Sequence, residues 1–360
     1  MMQPAGASFL SPTEGYLLED LACHGRAAGA SPCLAMAFTN DAGGSWRPLA
    51  APPVAFFWGL GPGSGQVRTS VSQVDFANTN DGYLFNPGLE VTHNGSRTWL
   101  DAKLRDVSDL VTTRDYAFAL TAQPTANGAV PQELWRSRLG SARWTRVPVP
   151  SSGLRTELVA DVGEVLLLGL PAPYGAVTSR DAPGRIWVGG NPGQPWRVAG
   201  SPCLPRENGA AAALAVSYGR PADWALDCML DDQSSQAMYV EHSIFVSTDS
   251  GKHWRLAGHP LHRGSDAALA WNGGTDFLLA TESASDQLNA STDGGHTWST
   301  PISDGGDFYG WANLGFVGQH TAVVVGPTHY GYPGHPARLD RSEDGGATWS
   351  ALRLFGTSVR

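Results

Sequence analysis

The sequence predicts an all-β protein, a seven-bladed β-propeller whose blades are four-stranded antiparallel sheets. Three observations predict this fold. A short turn motif that ends in tryptophan recurs along the whole chain, its copies stand about fifty residues apart, and strand-like segments fill the intervals. A small sheet of this size cannot bury both faces alone, so repeated sheets stack on their neighbours, and radial stacking produces a propeller.

The motif is Ser/Thr-x-Asp-x-Gly-x-x-Trp, an eight-residue pattern that we call the box. Four copies match it closely: Thr39–Trp46, Ser247–Trp254, Ser291–Trp298 and Ser342–Trp349. The Asp is expected to accept backbone N–H groups of the turn, the Gly to permit a positive φ, and the Trp to cover the hairpin. Each box should therefore be a self-contained turn between two strands.

Three further segments are weaker copies of the box. Thr92–Trp99 has Asn in place of Asp, Gly189–Trp196 retains an Asn and a Gly, and Ser137–Trp144 keeps only its first and last residues. Seven terminal tryptophans predict seven blades, with six or eight as the alternatives. The residues expected to form this structural framework are Asp41, Trp46, Asn94, Trp99, Asn191, Trp196, Asp249, Trp254, Asp293, Trp298, Asp344 and Trp349.

Each interval between boxes contains enough strand-like sequence for four strands. An apolar run precedes the box, a short strand follows its Trp, and strand–turn–strand segments lie further upstream, such as Val74–Phe85 and Leu269–Thr281. The segment Ser303–Gly306 lacks a following aromatic residue and is expected to be a linker turn. The predicted blades of the single domain are residues 1–50, 51–103, 104–149, 150–200, 201–258, 259–302 and 303–360.

The two chain ends lead to an expectation about closure of the ring. The first strand begins near Ala7–Ser11, and one strand's length of chain follows Trp349. We therefore expect the ring to close without exchanging a strand between its ends.

Composition excludes several function classes. Hydrophobic residues make up 42% and charged residues 16%, with 44 Gly and 25 Pro, which favours short strands joined by turns. A net charge of −9 without any basic run argues against nucleic acid or an anionic membrane surface as the partner. No segment approaches the roughly 18 apolar residues that span a bilayer. The first residues lack the pattern of a secretory signal, which is absent or was removed.

The four cysteines leave two interpretations open. Cys23 and Cys33 form one sequence-local pair, and Cys203 and Cys228 form another, without the C-x-x-C spacing of zinc sites. They are either buried free thiols or two disulfides, and disulfides would indicate an oxidising compartment. The expected location is extracellular or in the cell envelope, and no oligomeric state is predicted.

The box resembles the Asp-box, or BNR, repeat of sialidases and of photosystem II assembly factors, and the resemblance covers the whole chain. Gly15–Leu18 and Asp81–Phe85 are also similar to the second-strand sequences of the assembly factors. If the strands run in the usual inner-to-outer order, each box joins the third and fourth strands of its blade. The boxes would then lie opposite the loops that join blades and those that join second to third strands.

The candidate ligand-binding residues lie in these opposite loops. Their mixture of aromatic rings, hydroxyl groups and an arginine is typical of sites for proteins, glycans or other polar ligands. They are Phe56, Phe57, Trp58, Tyr174, Arg180, Asp181, His329, Tyr330, Tyr332 and His335. The alternative for the first three is packing between blades. His329 and His335 have no third histidine or acidic cluster nearby in sequence, so we expect neither a metal nor a cofactor.

The resemblance leaves two functions to compare. Sialidase chemistry requires an arginine triad, a Tyr–Glu pair and an Asp acid. The Arg-Ile-Pro segment of that family is missing before the first box, and no catalytic residue is assigned. Related xyloglucan-cleaving enzymes use acids between two propellers, whereas the boxes here suffice for one. We therefore expect a non-catalytic platform that binds a protein or glycan; the alternative is a sialidase-like glycoside hydrolase.

Overall fold

The computed structural model describes thirteen stretches of the chain. They are residues 3–20, 34–54, 71–122, 132–150, 155–160, 164–170, 185–203, 209–230, 241–261, 266–282, 286–304, 311–326 and 337–354. These stretches contain seven four-stranded antiparallel sheets, and the fold is a seven-bladed β-propeller. The chain divides into two compact units, one of residues 1–149, 328–339 and 351–360, the other of residues 150–327 and 340–350.

The first three blades belong to the first unit. Blade 1 contains β1 (Gln3–Phe9), β2 (Gly15–Asp20), β3 (Leu34–Thr39) and β4 (Arg47–Leu49). Blade 2 contains β5 (Gln73–Phe76), β6 (Gly82–Phe85), β7 (Leu89–Thr92) and β8 (Leu100–Asp101). Blade 3 contains β9 (Val107–Thr112), β10 (Tyr116–Ala122), β11 (Gln132–Arg138) and β12 (Thr145–Val147).

The next three blades belong to the second unit. Blade 4 contains β13 (Arg155–Ala160), β14 (Val165–Leu170), β15 (Ile186–Gly189) and β16 (Arg197–Ala199). Blade 5 contains β17 (Gly209–Ser217), β18 (Arg220–Leu230), β19 (Glu241–Ser247) and β20 (Arg255–Gly258). Blade 6 contains β21 (Asp266–Trp271), β22 (Phe277–Glu282), β23 (Asp286–Ser291) and β24 (Ser299–Asp304).

Blade 7 is formed by the last strands of the chain. It contains β25 (Ala312–Phe316), β26 (Ala322–Gly326), β27 (Arg338–Ser342) and β28 (Ser350–Ala351). Blades 1 and 7, like the others, consist of consecutive strands only. The described strands therefore agree with the expectation that the chain ends exchange no strand.

One expectation about a turn was wrong. Ser303 and Asp304 of the expected linker turn belong to β24, where they pair with Gln287 and Asp286 of β23. Backbone pairing with an existing strand edge satisfies their polar groups and overrides the turn tendency of the Ser-Asp sequence. Gly305 and Gly306 lie outside the described residues.

The strand order gives each sheet two distinct ends. The turn between the first and second strands lies at the same end as the box, because strands alternate in direction; we call this the box end. The connections from the second to the third strand, and onward to the next blade, leave from the opposite end. Connections at the box end are short, for example residues 10–14 and 40–46, whereas the opposite end carries residues 21–33, 50–72 and 171–185.

The core lies between the faces of neighbouring sheets. In the first unit, Leu18 and Met36 of blade 1 pack with Val74 and Leu84 of blade 2. In the second unit, Ala225 and Ile244 of blade 5 pack in one cluster with Leu279 of blade 6. Burial of such apolar faces against one another stabilises the blade contacts that backbone pairing within a sheet cannot provide.

Candidate functional site

The candidate ligand-binding residues predicted from the sequence all lie outside the described residues. They are Phe56, Phe57, Trp58, Tyr174, Arg180, Asp181, His329, Tyr330, Tyr332 and His335. Cys23 and Cys33 also lie outside them, whereas the residues of all seven boxes are described. The structure therefore describes the residues at the box ends and at the contacts between blades.

The carboxylate of the box is engaged within its own turn. In blade 1, Oδ1 of Asp41 accepts the Ser45 N–H at 2.8 Å, and its Oδ2 accepts the Ser45 hydroxyl at 2.6 Å. Thr39 donates its hydroxyl to Asp41 at 2.7 Å and accepts the Gly43 N–H at 2.9 Å. The side chain thus replaces missing backbone partners in the turn, as Asx motifs do.

The same hydrogen bonds recur in other blades and explain the acidity of the carboxyl groups. Hydrogen bonds from the hydroxyl and N–H of Ser45 lower the pKa of Asp41 to about 2, and those from Thr297 lower the pKa of Asp293 to about 2. Asp249 accepts the N–H of His253, and Asp344 accepts that of Thr348, both at 2.9 Å. These carboxylates accept hydrogen bonds that stabilise the turns.

The tryptophans that end the boxes donate their indole N–H mostly to the preceding blade or to their own box, and Trp254 donates to both, since its Nε1 also lies 3.2 Å from the Gly251 carbonyl oxygen. Trp99 donates to the carbonyl oxygen of Ala50 at 2.8 Å, and Trp254 donates to that of Gly200 at 3.0 Å; both acceptors follow the last strand of the preceding blade. Trp298 and Trp349 donate instead to glycine carbonyls of their own boxes, Gly295 and Gly346. Trp144, in the most degenerate box, has a buried Nε1 without a described partner.

In six of the seven boxes the fifth position has a left-handed backbone. Five boxes have glycine there, with φ between 75° and 99°: Gly43, Gly193, Gly251, Gly295 and Gly346. A Cβ atom would stand 2.7 Å from Leu352 at Gly43 and 2.9 Å from the Ala257 carbonyl oxygen at Gly295. In blade 2 this position is Ser96, with φ 67°, and its buried hydroxyl has no described hydrogen-bond partner.

A groove of about 400 Å³ accompanies this departure in blade 2. It lies between the fourth strand of blade 1 and the box of blade 2, in the first unit. The residues that line it are Arg47, Pro48, Leu49, Ala50, Thr79, Asn80, Asn94, Gly95, Ser96 and Arg97. Two arginines and no carboxylate line the groove, although the whole chain carries a net charge of −9.

Asp75 links the innermost strands of three blades. Its Oδ1 accepts the Ser8 hydroxyl of β1 at 3.2 Å, and its Oδ2 accepts the Thr112 hydroxyl of β9 at 3.1 Å. Burial raises the pKa of Asp75, and the hydrogen bonds from Thr112 and Ser8 oppose this increase. Sequence reasoning missed this residue because its partners stand 67 and 37 positions away in the chain.

In blades 2 and 6, an aspartate in the turn between the first and second strands contacts a histidine at the box end. Oδ1 of Asp81 lies 2.7 Å from Nδ1 of His93 and accepts the N–H of Gly140, in blade 3, at 2.9 Å. Asp276 in blade 6 lies 2.6 Å from Nδ1 of His320 in blade 7. Because each carboxylate connects neighbouring blades within one unit, these pairs also act as structural contacts.

A fully buried pair lies beside a disulfide in blade 5. Oδ2 of Asp227 is 2.6 Å from Nδ1 of His242, and both side chains are 0% exposed. The next residue, Cys228, is bonded to Cys203, which confirms the disulfide interpretation for this pair of cysteines. The disulfide connects β18 to the segment that follows blade 4.

Two features bear on metals and membranes. Among the described residues, no group of three or more His, Cys, Asp or Glu side chains is placed to hold a metal ion. The described part of the chain also contains no helix of the length and apolarity needed to cross a membrane.

Comparison with known proteins shows the fold. No family model and no curated protein matches the chain. A structure of YCF48 bound to a D1 peptide is similar over 89% of both chains, with 16% identity and a TM-score of 0.53. YCF48 from Cyanidioschyzon merolae is similar over 95% of both chains, with 11% identity and a TM-score of 0.52.

A glycoside hydrolase propeller is similar to the same extent. The GH74 xyloglucanase from Xanthomonas campestris matches 99% of this chain and 61% of its own, with 14% identity and a TM-score of 0.52. At these identities the comparisons support a shared propeller fold, which is common to binding proteins and enzymes.

Proposed function

We propose that this protein is a non-catalytic propeller that binds a protein partner through the connections opposite the box ends. The observation that carries this proposal is the asymmetry between the two ends of the sheets. Box-end connections are short and their side chains are engaged in turn hydrogen bonds, whereas segments as long as 50–72 and 171–185 leave the opposite ends. Long connections on a rigid framework are the usual location of recognition residues.

The structural likeness to YCF48 supports a protein partner rather than another ligand class. That protein has been solved with a D1 peptide bound, and it shares the propeller fold over most of this chain. A glycan is the second ligand class that the aromatic residues predicted at these connections would suit. A glycan array distinguishes it from a protein partner.

We further propose that the protein functions in an oxidising compartment, outside the cell or in its envelope. The Cys203–Cys228 disulfide supports this location, because disulfides persist in such environments and are rare in the cytosol.

A sialidase-like glycoside hydrolase is the alternative, and one observation favours it besides the fold of the xyloglucanase. Asp75 has a raised pKa, which general acid catalysis at moderate pH requires. Both of its oxygens, however, accept hydroxyl groups from neighbouring strands, which suits a structural contact. Hydrolysis of fluorogenic glycosides that is abolished by Asp75→Asn would establish the enzyme instead.

The proposal is tested by mapping a binding surface. Cross-linking of the purified protein in extracts of its source would identify a partner, and calorimetry with that purified partner would follow. Replacing Phe56, Phe57 and Trp58 together by Ser should abolish binding while the melting temperature stays nearly unchanged. The control is Arg255→Gln, a change on an exposed strand of blade 5, which should bind normally.

One result would redirect the test to other residues, and another would contradict the proposal. If the triple variant unfolds, its aromatic side chains belong to the core, and the Tyr174, Tyr330 and Tyr332 positions must then be tested in the same way. If none of these variants weakens binding, the partner does not use the opposite ends. A glycan array that gives saturable binding lost in the same variants would replace the protein partner by a glycan.

A further inference from the structure

We propose that the groove between blades 1 and 2 binds an oxyanion, a phosphate, sulfate or carboxylate group of a larger ligand. The groove lies at the box end, away from the connections assigned to partner binding. It is an open groove with a volume of about 400 Å³.

The charges around the groove favour an anion. Arg47 and Arg97 are exposed on its walls, and neither forms an ion pair with any residue that the structure describes. Guanidinium groups form strong charge-assisted hydrogen bonds to phosphate, sulfate and carboxylate oxygens. Arg47 also lies over the Phe38 ring, with its Cζ 5.3 Å from the ring centroid. An acidic chain that leaves two arginines without an ion pair among the described residues beside one cavity presents a local positive potential there.

The box of blade 2 lacks the carboxylate of the motif, which favours binding of an anion. Asn94 occupies the position where the boxes of blades 1, 5, 6 and 7 have aspartate. Its Oδ1 accepts the Thr98 N–H at 2.9 Å, which keeps the turn. The turn is therefore preserved while the carboxylate is removed from the groove wall. An aspartate there would repel a bound anion and partly neutralise Arg97.

Ser96 provides a second and independent observation. It is 1% exposed, it lines the groove, and its Oγ has no hydrogen-bond partner among the described residues. It also has a left-handed backbone where five of the other six boxes have glycine. A strained residue whose buried hydroxyl is unpaired is unfavourable in the free protein. The Oγ is itself buried, so the O–H would donate to an anion in the groove once the Ser96 side chain rotates towards it.

The experiment measures anion binding to the intact protein. Sodium phosphate, sulfate and acetate are titrated into the full chain by calorimetry, with chloride at matched ionic strength as the reference for screening. Melting temperatures in the same salts provide a second readout, since a ligand that binds only the folded state raises them. Saturable binding of acetate alone indicates a carboxylate ligand, whereas saturable binding of phosphate or sulfate indicates an ester of that acid.

Two variants distinguish a site from general salt effects. Arg97→Gln should weaken binding about tenfold, the effect of losing one charge-assisted hydrogen bond. Asn94→Asp restores the aspartate of the box and should fold normally, yet weaken binding at least as much. Arg255→Gln, which changes an exposed arginine remote from the groove in sequence, should bind as the unmodified protein does.

The expected result is saturable binding that both groove variants weaken. The proposal is overturned if none of the three anions binds saturably, or if either Arg97→Gln or Asn94→Asp binds as well as the unmodified protein. Unchanged melting temperatures of the two variants without anion would show that the loss of binding is not a loss of folding.

Discussion

The indole Nε1 of Trp46 donates a hydrogen bond of 2.7 Å to the carbonyl oxygen of Arg353, 307 residues later in the chain. Trp99 makes the equivalent bond to Ala50, the residue that follows the last strand of the preceding blade. Leu352 is held in addition by its N–H, which donates to the Leu339 carbonyl at 2.8 Å. The segment after β28 is thus attached to blade 1 by the same type of indole–carbonyl hydrogen bond that joins blade 2 to blade 1.

Trp46→Phe tests this attachment. Loss of the indole hydrogen bond should lower the free energy of unfolding by about 1 kcal/mol. It should also accelerate hydrogen exchange of the Leu352 amide, because local opening of the chain end becomes easier. Trp298→Phe is the control, since Trp298 bonds within its own box and should leave exchange at Leu352 unchanged. Equal exchange at Leu352 in both variants would contradict the assignment.

Ser96→Gly should make the protein more stable. The change removes a left-handed non-glycine residue and a buried unpaired hydroxyl, which together outweigh the backbone entropy of glycine. The expected gain is about 1 kcal/mol in urea unfolding. The reciprocal change, Gly295→Ser, should destabilise the protein, because a Cβ there would approach the Ala257 carbonyl oxygen to 2.9 Å. A stability loss in Ser96→Gly would show that the hydroxyl has a stabilising partner.

Asp293→Asn tests the origin of acid sensitivity. Hydrogen bonds from Thr297 hold the folded pKa of Asp293 at about 2, below its ordinary value of 3.8. A depressed folded pKa adds stability that is fully present above pH 4 and is lost as the pH falls towards 2. Urea midpoints of the protein and the variant should therefore differ at pH 7 and converge near pH 2. A difference that is constant with pH would assign the effect to geometry instead of charge.

Asp227→Ala tests the buried pair in blade 5. Removing one partner leaves the buried His242 imidazole without the carboxylate 2.6 Å away, and a loss of roughly 3 kcal/mol is expected. His253→Ala is the matched control, because that histidine is 90% exposed beside Asp249 and should change stability much less. Similar losses in both variants would mean that burial does not determine the contribution of these pairs.

The disulfide should contribute measurably to stability. Replacing Cys203 and Cys228 together by Ala releases a closure of 25 residues and should lower the free energy of unfolding by about 3 kcal/mol. Dithiothreitol should produce a similar loss in the unmodified protein and none in the double variant. A double variant as stable as the unmodified protein would indicate that the bond serves only to join the two segments covalently.

Several features of the site were visible in the sequence but could not be interpreted from it. Asn94 and Ser96 are departures from the box that an alignment of the seven copies reveals. Whether there is room for a side chain at the fifth box position depends on the neighbouring segment. At Gly43, for example, Leu352 occupies the space that a Cβ atom would need. Asp75 gave no signal, because its role depends on Ser8 and Thr112, which only the stacking of blades brings to it.

The sequence by itself predicted seven blades, which the structure confirms, and it predicted where each box lies and a framework role for its aspartate. These are local properties: a carboxylate, a left-handed residue and a tryptophan within eight positions make a turn whatever surrounds them. Only the tertiary structure decided that Cys203 bonds to Cys228, that Asp227 is buried with His242, and that Trp46 reaches Arg353. Those relationships join segments far apart in the chain, and packing of side chains between sheets, which no local pattern encodes, sets the distances between them.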